Sequence, residues 1–391
     1  MKLKSTIALA VLALGSSAAL AQKATPTQGV SKNEIVIGSI QDLSGPIAAF
    51  GKQVRFGMQL RVDELNEQSG GIHGRKIKLL IEDSQYDPKK AVLAAQKLVN
   101  QDKVFVMVAH VGTTNNLATM PILFEKNVPN FYPITASRQM AEPYHKLKFA
   151  PGASYFDQLR IFAPRVAKEK NVKKPCSIVQ DDDFGQEVAD GAEAGLKTIN
   201  LSLAEKTTFK TGATDFSSQV SRMKAAGCDM VILGTIIRET LGTVGESRKT
   251  GFSPVFLGSS AVYTDLNHKL ARGTTEGLYG VMTVANPYLD DASPQIRFWA
   301  TKYQTKFNEE PTVFSIYGYQ AIDQVIIAAN KVGPNLTSDS FVKALETVKF
   351  PPDIFGGPEV GFGPNKRQGS DMSRLSQIIG GKWKVVSEYA K

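Results

Sequence analysis

Short runs of β-branched apolar residues alternate with amphipathic helical segments along most of this chain. The first run, Glu34–Ile40, has the composition of a strand that is buried on both faces of a parallel sheet. Ser44-Gly45-Pro46 ends it, and Val54–Asn66 follows with apolar residues at helical spacing. In such sheets ligands bind at the loops that leave the carboxyl ends of the strands, so Leu43–Gly51 is the first candidate wall of a site.

The same alternation runs through the chain twice. Strands are predicted at 76–82, 104–109, 128–132, 177–180, 204–209, 230–233, 255–257 and 279–283. The helical segments Pro294–Phe307 and Ser315–Val332 are expected to return and complete the first half. We therefore predict an α/β fold of two doubly wound parallel-sheet lobes joined by a hinge. Lobe 1 is expected over 34–152 and 283–352 and lobe 2 over 153–282, and the tail 353–391 is assigned to neither lobe.

The first 21 residues have the features of a secretory signal peptide. Lys2 and Lys4 precede the apolar segment Ile7–Leu14, and Ala19-Leu20-Ala21 is a suitable cleavage site. The apolar segment is too short for a membrane anchor. We expect an exported protein, located in the periplasm if the host has two membranes. The formal net charge of +9 is spread along the chain without a Lys/Arg block, so no nucleic-acid partner is predicted.

The chain has two cysteines, Cys176 and Cys228, and each opens a predicted strand. If the two strands are neighbours in a parallel sheet, their starts lie within reach of a disulfide. Export permits such a bond, and two buried free thiols are the alternative.

Motifs for catalysis and metal binding are missing from the sequence. It has no Gly-x-Ser-x-Gly elbow and no phosphate loop, and its four histidines are far apart. Asp181-Asp182-Asp183 is better explained as a polar loop at a strand end than as a cation site. We expect binding without chemistry, and no metal or cofactor.

Several motifs resemble the periplasmic leucine/isoleucine/valine-binding proteins, the solute receptors of ABC importers for branched-chain amino acids. They are Leu43-Ser44-Gly45-Pro46 with Phe50-Gly51, Asn66 with Gly70-Gly71-Ile72, Asp83-Ser84-Gln85-Tyr86-Asp87-Pro88, Asp215-Phe216 and Glu276-Gly277. The likeness covers nearly all of the chain after the leader. It implies a type I periplasmic-binding-protein fold that closes on a small solute like a venus flytrap and delivers it to a membrane permease.

The resemblance also implies a carboxylate site in lobe 1. It falls on Thr113 and Thr114 at a predicted helix start, where a hydroxyl and free N–H groups favour an anion. Thr113 is alternatively a plain N-cap. The second carboxylate loop falls on Ile134, Thr135, Ala136 and Ser137, of which Thr135 or Ser137 would supply a hydroxyl. Phe50 matches an aromatic that flanks the ligand, or packs under its loop.

Lobe 2 departs from the family pattern. The acidic residue that pairs with the ligand ammonium aligns with Ser260, and the aromatic of the other cleft loop aligns with Ile236. Arg238 is a possible anion partner or an exposed residue at a helix start, and Phe184 and Tyr263 are candidate walls. A buried ammonium without an acidic partner is costly. The solute is therefore expected to be a small carboxylate, either a hydrophobic amino acid or an aromatic or aliphatic acid that lacks the amine. Asp181 or Glu239 could still meet an ammonium.

These observations predict the monomeric solute-binding component of an ABC importer, with the permease membrane subunits as its partner. Two alternatives are a sensory protein that passes ligand binding to a signalling partner and an exported enzyme on the same scaffold.

Overall fold

The computed structural model describes residues 27–391, so the predicted signal peptide lies outside the described residues. The first lobe contains a sheet of five parallel strands. These are β1 (Glu34–Gln41), β2 (Lys76–Asp83), β3 (Val106–Val108), β4 (Asn130–Phe131) and β5 (Lys148–Phe149). Their order is β2-β1-β3-β4-β5. β1 lies between β2 and β3 and is buried along most of its length, as its β-branched composition predicts.

The second lobe contains a sheet of seven strands. These are β6 (Pro175–Gln180), β7 (Glu205–Phe209), β8 (Met230–Gly234), β9 (Val255–Gly258), β10 (Tyr279–Met282), β13 (Arg374–Ile379) and β14 (Lys382–Val385). Their order is β14-β13-β10-β9-β8-β6-β7. β6 to β10 pair in parallel, whereas β13 and β14 add an antiparallel edge from the C-terminal tail. A separate antiparallel pair is formed by β11 (Lys349–Phe350) and β12 (Val360–Gly361).

Eleven α-helices cover the faces of the two large sheets within residues 27–391. They are α1 (Ala48–Gln68), α2 (Pro88–Gln96), α3 (Thr113–Glu125), α4 (Tyr155–Glu169), α5 (Asp183–Lys197), α6 (Ser217–Ala225), α7 (Ile237–Lys249), α8 (Leu266–Lys269), α9 (Pro294–Phe307), α10 (Val313–Val332) and α11 (Ser338–Leu345). A π-helical turn, Lys97–Gln101, extends α2, and a 3₁₀ turn lies at Arg138–Met140. None of these helices combines the length and apolar character needed to cross a bilayer.

Helix α10 returns from the second lobe to pack on α1, at a crossing that requires glycine on both helices. A Cβ added to Gly57 would lie 1.9 Å from the Ser315 carbonyl oxygen, and one added to Gly318 would lie 2.1 Å from the Val54 carbonyl oxygen. The close approach seats α10 against the first lobe, as the sequence predicted for this segment.

The predicted fold class of two parallel-sheet α/β lobes is confirmed. The boundaries differ in places: α1 begins at Ala48 rather than Val54, and the four tail and hinge strands β11 to β14 were not predicted. We propose the division 34–152 with 283–352 for lobe 1 and 153–282 for lobe 2, with residues 374–385 added to lobe 2 because they extend its sheet. Cys176 and Cys228 are joined by a disulfide, with their Cα atoms 5.9 Å apart, at the start of β6 and just before β8.

Candidate functional site

A cavity of about 150 Å³ lies between the lobes, where the loops that leave the sheet strands face each other. We name it the cleft cavity. Nine of the residues predicted for the site line it, and they are Phe50, Thr113, Ile134, Thr135, Ala136, Ser137, Phe184, Ile236 and Ser260. The cavity thus lies at the position that a doubly wound sheet predicts for a ligand site.

The lobe 1 wall has the features of an anion site. Thr113 is the first residue of α3 and is 2% exposed, and its Oγ1 lies 2.6 Å from Oγ1 of Thr135. The N-cap of α3 is Gly112, which has a φ of 91°, so the Thr113 hydroxyl is not a helix cap. The first backbone N–H groups of a helix lack partners within it and attract negative charge. Two hydroxyls and a helix N-terminus therefore converge on this wall, an arrangement that suits a carboxylate.

The lobe 2 wall opposite is neutral. Ser260 is held by Gln158, whose Oε1 accepts a hydrogen bond from the Ser260 N–H at 2.8 Å and whose Nε2 lies 3.1 Å from Ser260 Oγ. Gln158 is fully buried and also donates to the Ala153 carbonyl oxygen. The position that the family resemblance assigns to an acidic residue is therefore a serine held by an amide.

Charged groups are scarce in the cleft cavity. Among its described lining residues, Arg138 is the one cation and Asp353 the one carboxylate. The Arg138 guanidinium lies 3.9 Å from the Phe156 ring centroid and 3.5 Å from a Glu187 carboxylate oxygen, so it is already engaged across the cleft. Asp353 is exposed and lies in the hinge segment rather than on the lobe 2 wall. An ammonium group beside Ser260 would have no acidic partner on that wall.

Aromatic side chains form most of the apolar surface. Phe50 stacks on Phe314 with a centroid distance of 3.7 Å, and Phe184 meets Tyr155 edge to face at 5.0 Å. Phe50 therefore both packs under its loop and faces the cavity. Burial raises the pKa of Tyr155 to about 12, so its hydroxyl stays protonated at neutral pH and keeps its donor.

Three predicted site residues do not line the cleft cavity. Thr114 points across the cleft instead, with its Oγ1 at 3.4 Å from the Asp182 carboxylate. Arg238 lines a separate groove at the cleft mouth, between the loops at Ser44–Pro46 and Thr211-Gly212. Tyr263 was predicted as a wall, but it is 2% exposed, it packs on Trp383, and its hydroxyl accepts from the Asn286 N–H at 2.9 Å. The turn after Ser260 carries this ring into the lobe 2 core.

The two acidic residues considered as ammonium partners also lie outside the cavity lining. Asp181 is exposed and forms an ion pair with Lys210. Glu239 is buried in the first turn of α7, and burial raises the pKa of its carboxyl.

Direct contacts connect the two lobes around the cavity. The Arg138 N–H donates to Glu187 Oε1 at 2.7 Å, and the Tyr155 N–H donates to the Ala136 carbonyl oxygen at 2.7 Å. Glu187 is 6% exposed, and burial raises its pKa, although the hydrogen bond from Arg138 opposes this shift. Together with Thr114 and Asp182, these contacts hold the lobes together over the site.

Several lining residues were not predicted from the sequence. They come from the turn before the 3₁₀ segment, from α4, from α10 and from the hinge, and include Tyr132, Gln158, Tyr317, Gln320, Gln324 and Asp353. The α10 residues recur at spacings of three and four, a pattern that marks one face of a helix. The sequence predicts a helix here that completes the first lobe, but it does not show that this helix also borders the cleft.

A cavity between two α/β lobes, with two hydroxyls and a helix N-terminus on one wall, has the geometry of a small-solute receptor. The periplasmic binding protein family model matches residues 34–382, and the chain belongs to this family. This confirms the resemblance found in the sequence. The chain is a solute-binding protein of the type that serves ABC transporters, and not an enzyme.

Three similar proteins illustrate the range of the family. A Leu/Ile/Val-binding protein homolog of Brucella abortus is 24% identical over 402 residues, which cover 99% of this chain and 96% of that protein. The structure of a fatty acid ABC transporter substrate-binding protein from Thermomonospora curvata has a TM-score of 0.84 at 22% identity and covers 94% of each chain. An ABC transporter solute-binding protein from R. palustris, solved with benzoate, has a TM-score of 0.80 at 16% identity and covers 90% of this chain and 96% of that one.

Proposed function

We propose that this protein is the periplasmic receptor of an ABC importer and that its solute is a small organic acid without an α-amino group. Thr113, Thr135 and the N-terminus of α3 bind the carboxylate, and the aromatic walls bind the hydrocarbon part. The protein acts as a monomer and delivers the solute to the permease subunits of the membrane.

The observation that carries the proposal is the neutral wall at Ser260. An amino acid would place its ammonium against this wall, where Gln158 already satisfies the serine and no carboxylate lines the described cavity nearby. Burying an unpaired ammonium costs on the order of several kcal/mol. A carboxylate without the amine avoids this cost and keeps every contact of the lobe 1 wall.

The size and character of the cavity support the same class of solute. A cavity of about 150 Å³ in another protein accommodates a benzene ring. The rings of Phe50, Phe314 and Phe184 suit an aryl or alkyl group. Similar structures carry a fatty acid or benzoate in their names, which supports an acid without an amine as the solute.

A thermal-shift screen tests the proposal. Hydrophobic amino acids, aromatic acids and aliphatic acids are each added to the purified protein, and a ligand at 100 times its Kd stabilises the fold by about 2.7 kcal/mol. We expect shifts from acids without the amine. A shift from amino acids alone would refute the proposal.

The Ser260→Glu variant tests the wall itself. A carboxylate at this position supplies the missing ammonium partner, so the variant should gain affinity for amino acids and lose affinity for acids without the amine. A variant that gains affinity for neither class, yet folds normally, would show that the ligand does not meet this wall.

A further inference from the structure

The cleft cavity follows one face of α10 from the lobe edges to the hinge. Phe314, Tyr317, Gln320 and Gln324 line it and recur at spacings of three, three and four residues. With a rise of 1.5 Å per residue, the ten steps from Phe314 to Gln324 span about 15 Å. The lining of the cavity therefore extends along this length of α10.

The two ends of the cavity differ in chemistry. The cleft end holds the anion site at Thr113 and Thr135, beside the stacked Phe50 and Phe314. The far end, which we name the hinge arm, is lined by Tyr132, Gln320, Gln324, Phe350 and Asp353. Part of the lining there comes from chain segments that connect the lobes. A ligand that extends from the cleft end into the hinge arm would meet a second set of polar groups.

The polar groups of the hinge arm are paired with one exception. The Tyr132 hydroxyl donates to Gln320 Oε1 at 2.8 Å, and Gln320 Nε2 donates to the Asp353 carboxylate at 2.6 Å. Gln324 is 8% exposed, and its Oε1 is buried without a hydrogen-bond partner among residues 27–391. An unpaired buried acceptor costs roughly 1–3 kcal/mol.

A ligand hydroxyl would remove this cost. Hydroxyl groups both donate and accept hydrogen bonds, so one can satisfy the Gln324 amide in either orientation of its side chain. A methyl or a bare ring edge at the same place would leave the amide unpaired. Tyr317, the next lining residue after Phe314, lies seven residues from Gln324, or about 10 Å along α10.

We infer that the hinge arm binds a hydroxyl at the far end of an elongated organic acid, and that Gln324 selects it. The inference rests on the proposed function, because the carboxylate end is the anion site described above. The preferred solutes then have a carboxylate and a hydroxyl separated by roughly 10 Å, as in aryl acids with a short spacer between ring and carboxylate.

Calorimetry with two matched pairs of acids tests the inference. The long pair is 3-phenylpropenoate and its 4-hydroxy derivative, and the short pair is benzoate and 4-hydroxybenzoate. In the unaltered protein the hydroxyl of the long pair should tighten Kd by about tenfold. The short pair should show a smaller ratio, because its hydroxyl does not reach Gln324.

The Gln324→Met variant removes the amide at nearly constant length. Its Kd ratio for the long pair should fall to about one. Asn330→Met, an exposed change on the same helix, is the matched control and should keep the tenfold ratio. Gln324→Asn, which withdraws the amide by one methylene, serves as a second variant if the methionine variant does not fold.

The outcomes separate this inference from the proposed function. Two results would overturn the role of Gln324 and leave the carboxylate site intact. One is a Kd ratio near one for the long pair in the unaltered protein. The other is a tenfold Kd ratio that both Gln324 variants retain. A protein that binds amino acids and none of the four acids would overturn both.

Discussion

The hydroxyl of Thr113 can be removed with little change in shape by the Thr113→Val substitution. The side chain is 2% exposed and lies at the first position of α3, and its Oγ1 is 2.6 Å from Oγ1 of Thr135. It does not cap the helix, because Gly112 occupies the N-cap. Valine keeps the branched shape and removes only the hydrogen-bonding atom, although it introduces an apolar methyl beside Thr135.

The expected magnitude follows from the charge of the ligand. A hydrogen bond to a charged group contributes about 1.5–3 kcal/mol, whereas a bond between neutral groups contributes about 1 kcal/mol. The substitution should therefore weaken Kd for a carboxylate by roughly 10- to 150-fold. Loss of the neutral contact with Thr135 should lower the free energy of unfolding by only about 1 kcal/mol.

Calorimetry with the tightest acid from the thermal-shift screen measures the first value, and urea unfolding measures the second. Thr305→Val, which removes an exposed hydroxyl that bonds its own helix, is the control and should leave Kd unchanged. An unchanged Kd in Thr113→Val would refute the assignment of the anion site. A loss of binding free energy no larger than the loss of unfolding free energy would refute it as well.

Three further predictions concern closure, the disulfide and the cleft mouth. Burial raises the pKa of the Glu187 carboxyl above its ordinary value of 4.5, so folding favours the protonated form. The protonated carboxyl therefore contributes to the free energy of unfolding at low pH, and this contribution is lost as pH rises through the pKa of the folded state. Glu187→Gln should therefore gain melting temperature relative to the unaltered protein as pH rises, and parallel curves would contradict this. The Cys176–Cys228 disulfide closes a loop with a sequence separation of 52 residues. Replacing both cysteines by serine should lower the free energy of unfolding in urea, under oxidising conditions, by about 4 kcal/mol. A double serine variant as stable as the unaltered protein would contradict this. Arg238 lies at the cleft mouth, where its charge would attract an acid. Arg238→Ala should therefore slow the association of an acid at low salt in stopped-flow measurements and leave the dissociation rate unchanged. An unchanged association rate would show that Arg238 does not guide the ligand.

The parallel-sheet lobes could be predicted from the sequence because their strands are continuous β-branched runs between helices. The runs at Glu34–Gln41 and Met230–Gly234 are buried along most of their length, and such runs have few alternatives. The added strand β13, Arg374–Ile379, mixes polar and apolar residues, and its position depends on pairing with β10 from far along the chain. The residues next to a strand that forms by such long-range pairing do not predict it.

The site could be predicted where it follows from strand ends. Thr113, Ser137 and Ser260 line the cavity because loops that leave parallel strands share one edge of the sheet. Tyr263 was misplaced because it lies only three residues beyond Ser260, and the direction of a side chain in a turn depends on backbone angles that the sequence does not show. Gln158 was missed because its contact with Ser260 joins residues 102 positions apart.

The proposal that the solute lacks an α-amino group is tested most directly by matched pairs that differ in that group alone. Calorimetry would compare 3-phenylpropanoate with phenylalanine, and 4-methylpentanoate with leucine, in the same buffer. With no acidic partner on the Ser260 wall, the acid without the amine should bind at least about tenfold more tightly in the pair that fits the cavity. Tighter binding of leucine or phenylalanine than of its partner acid would contradict the account.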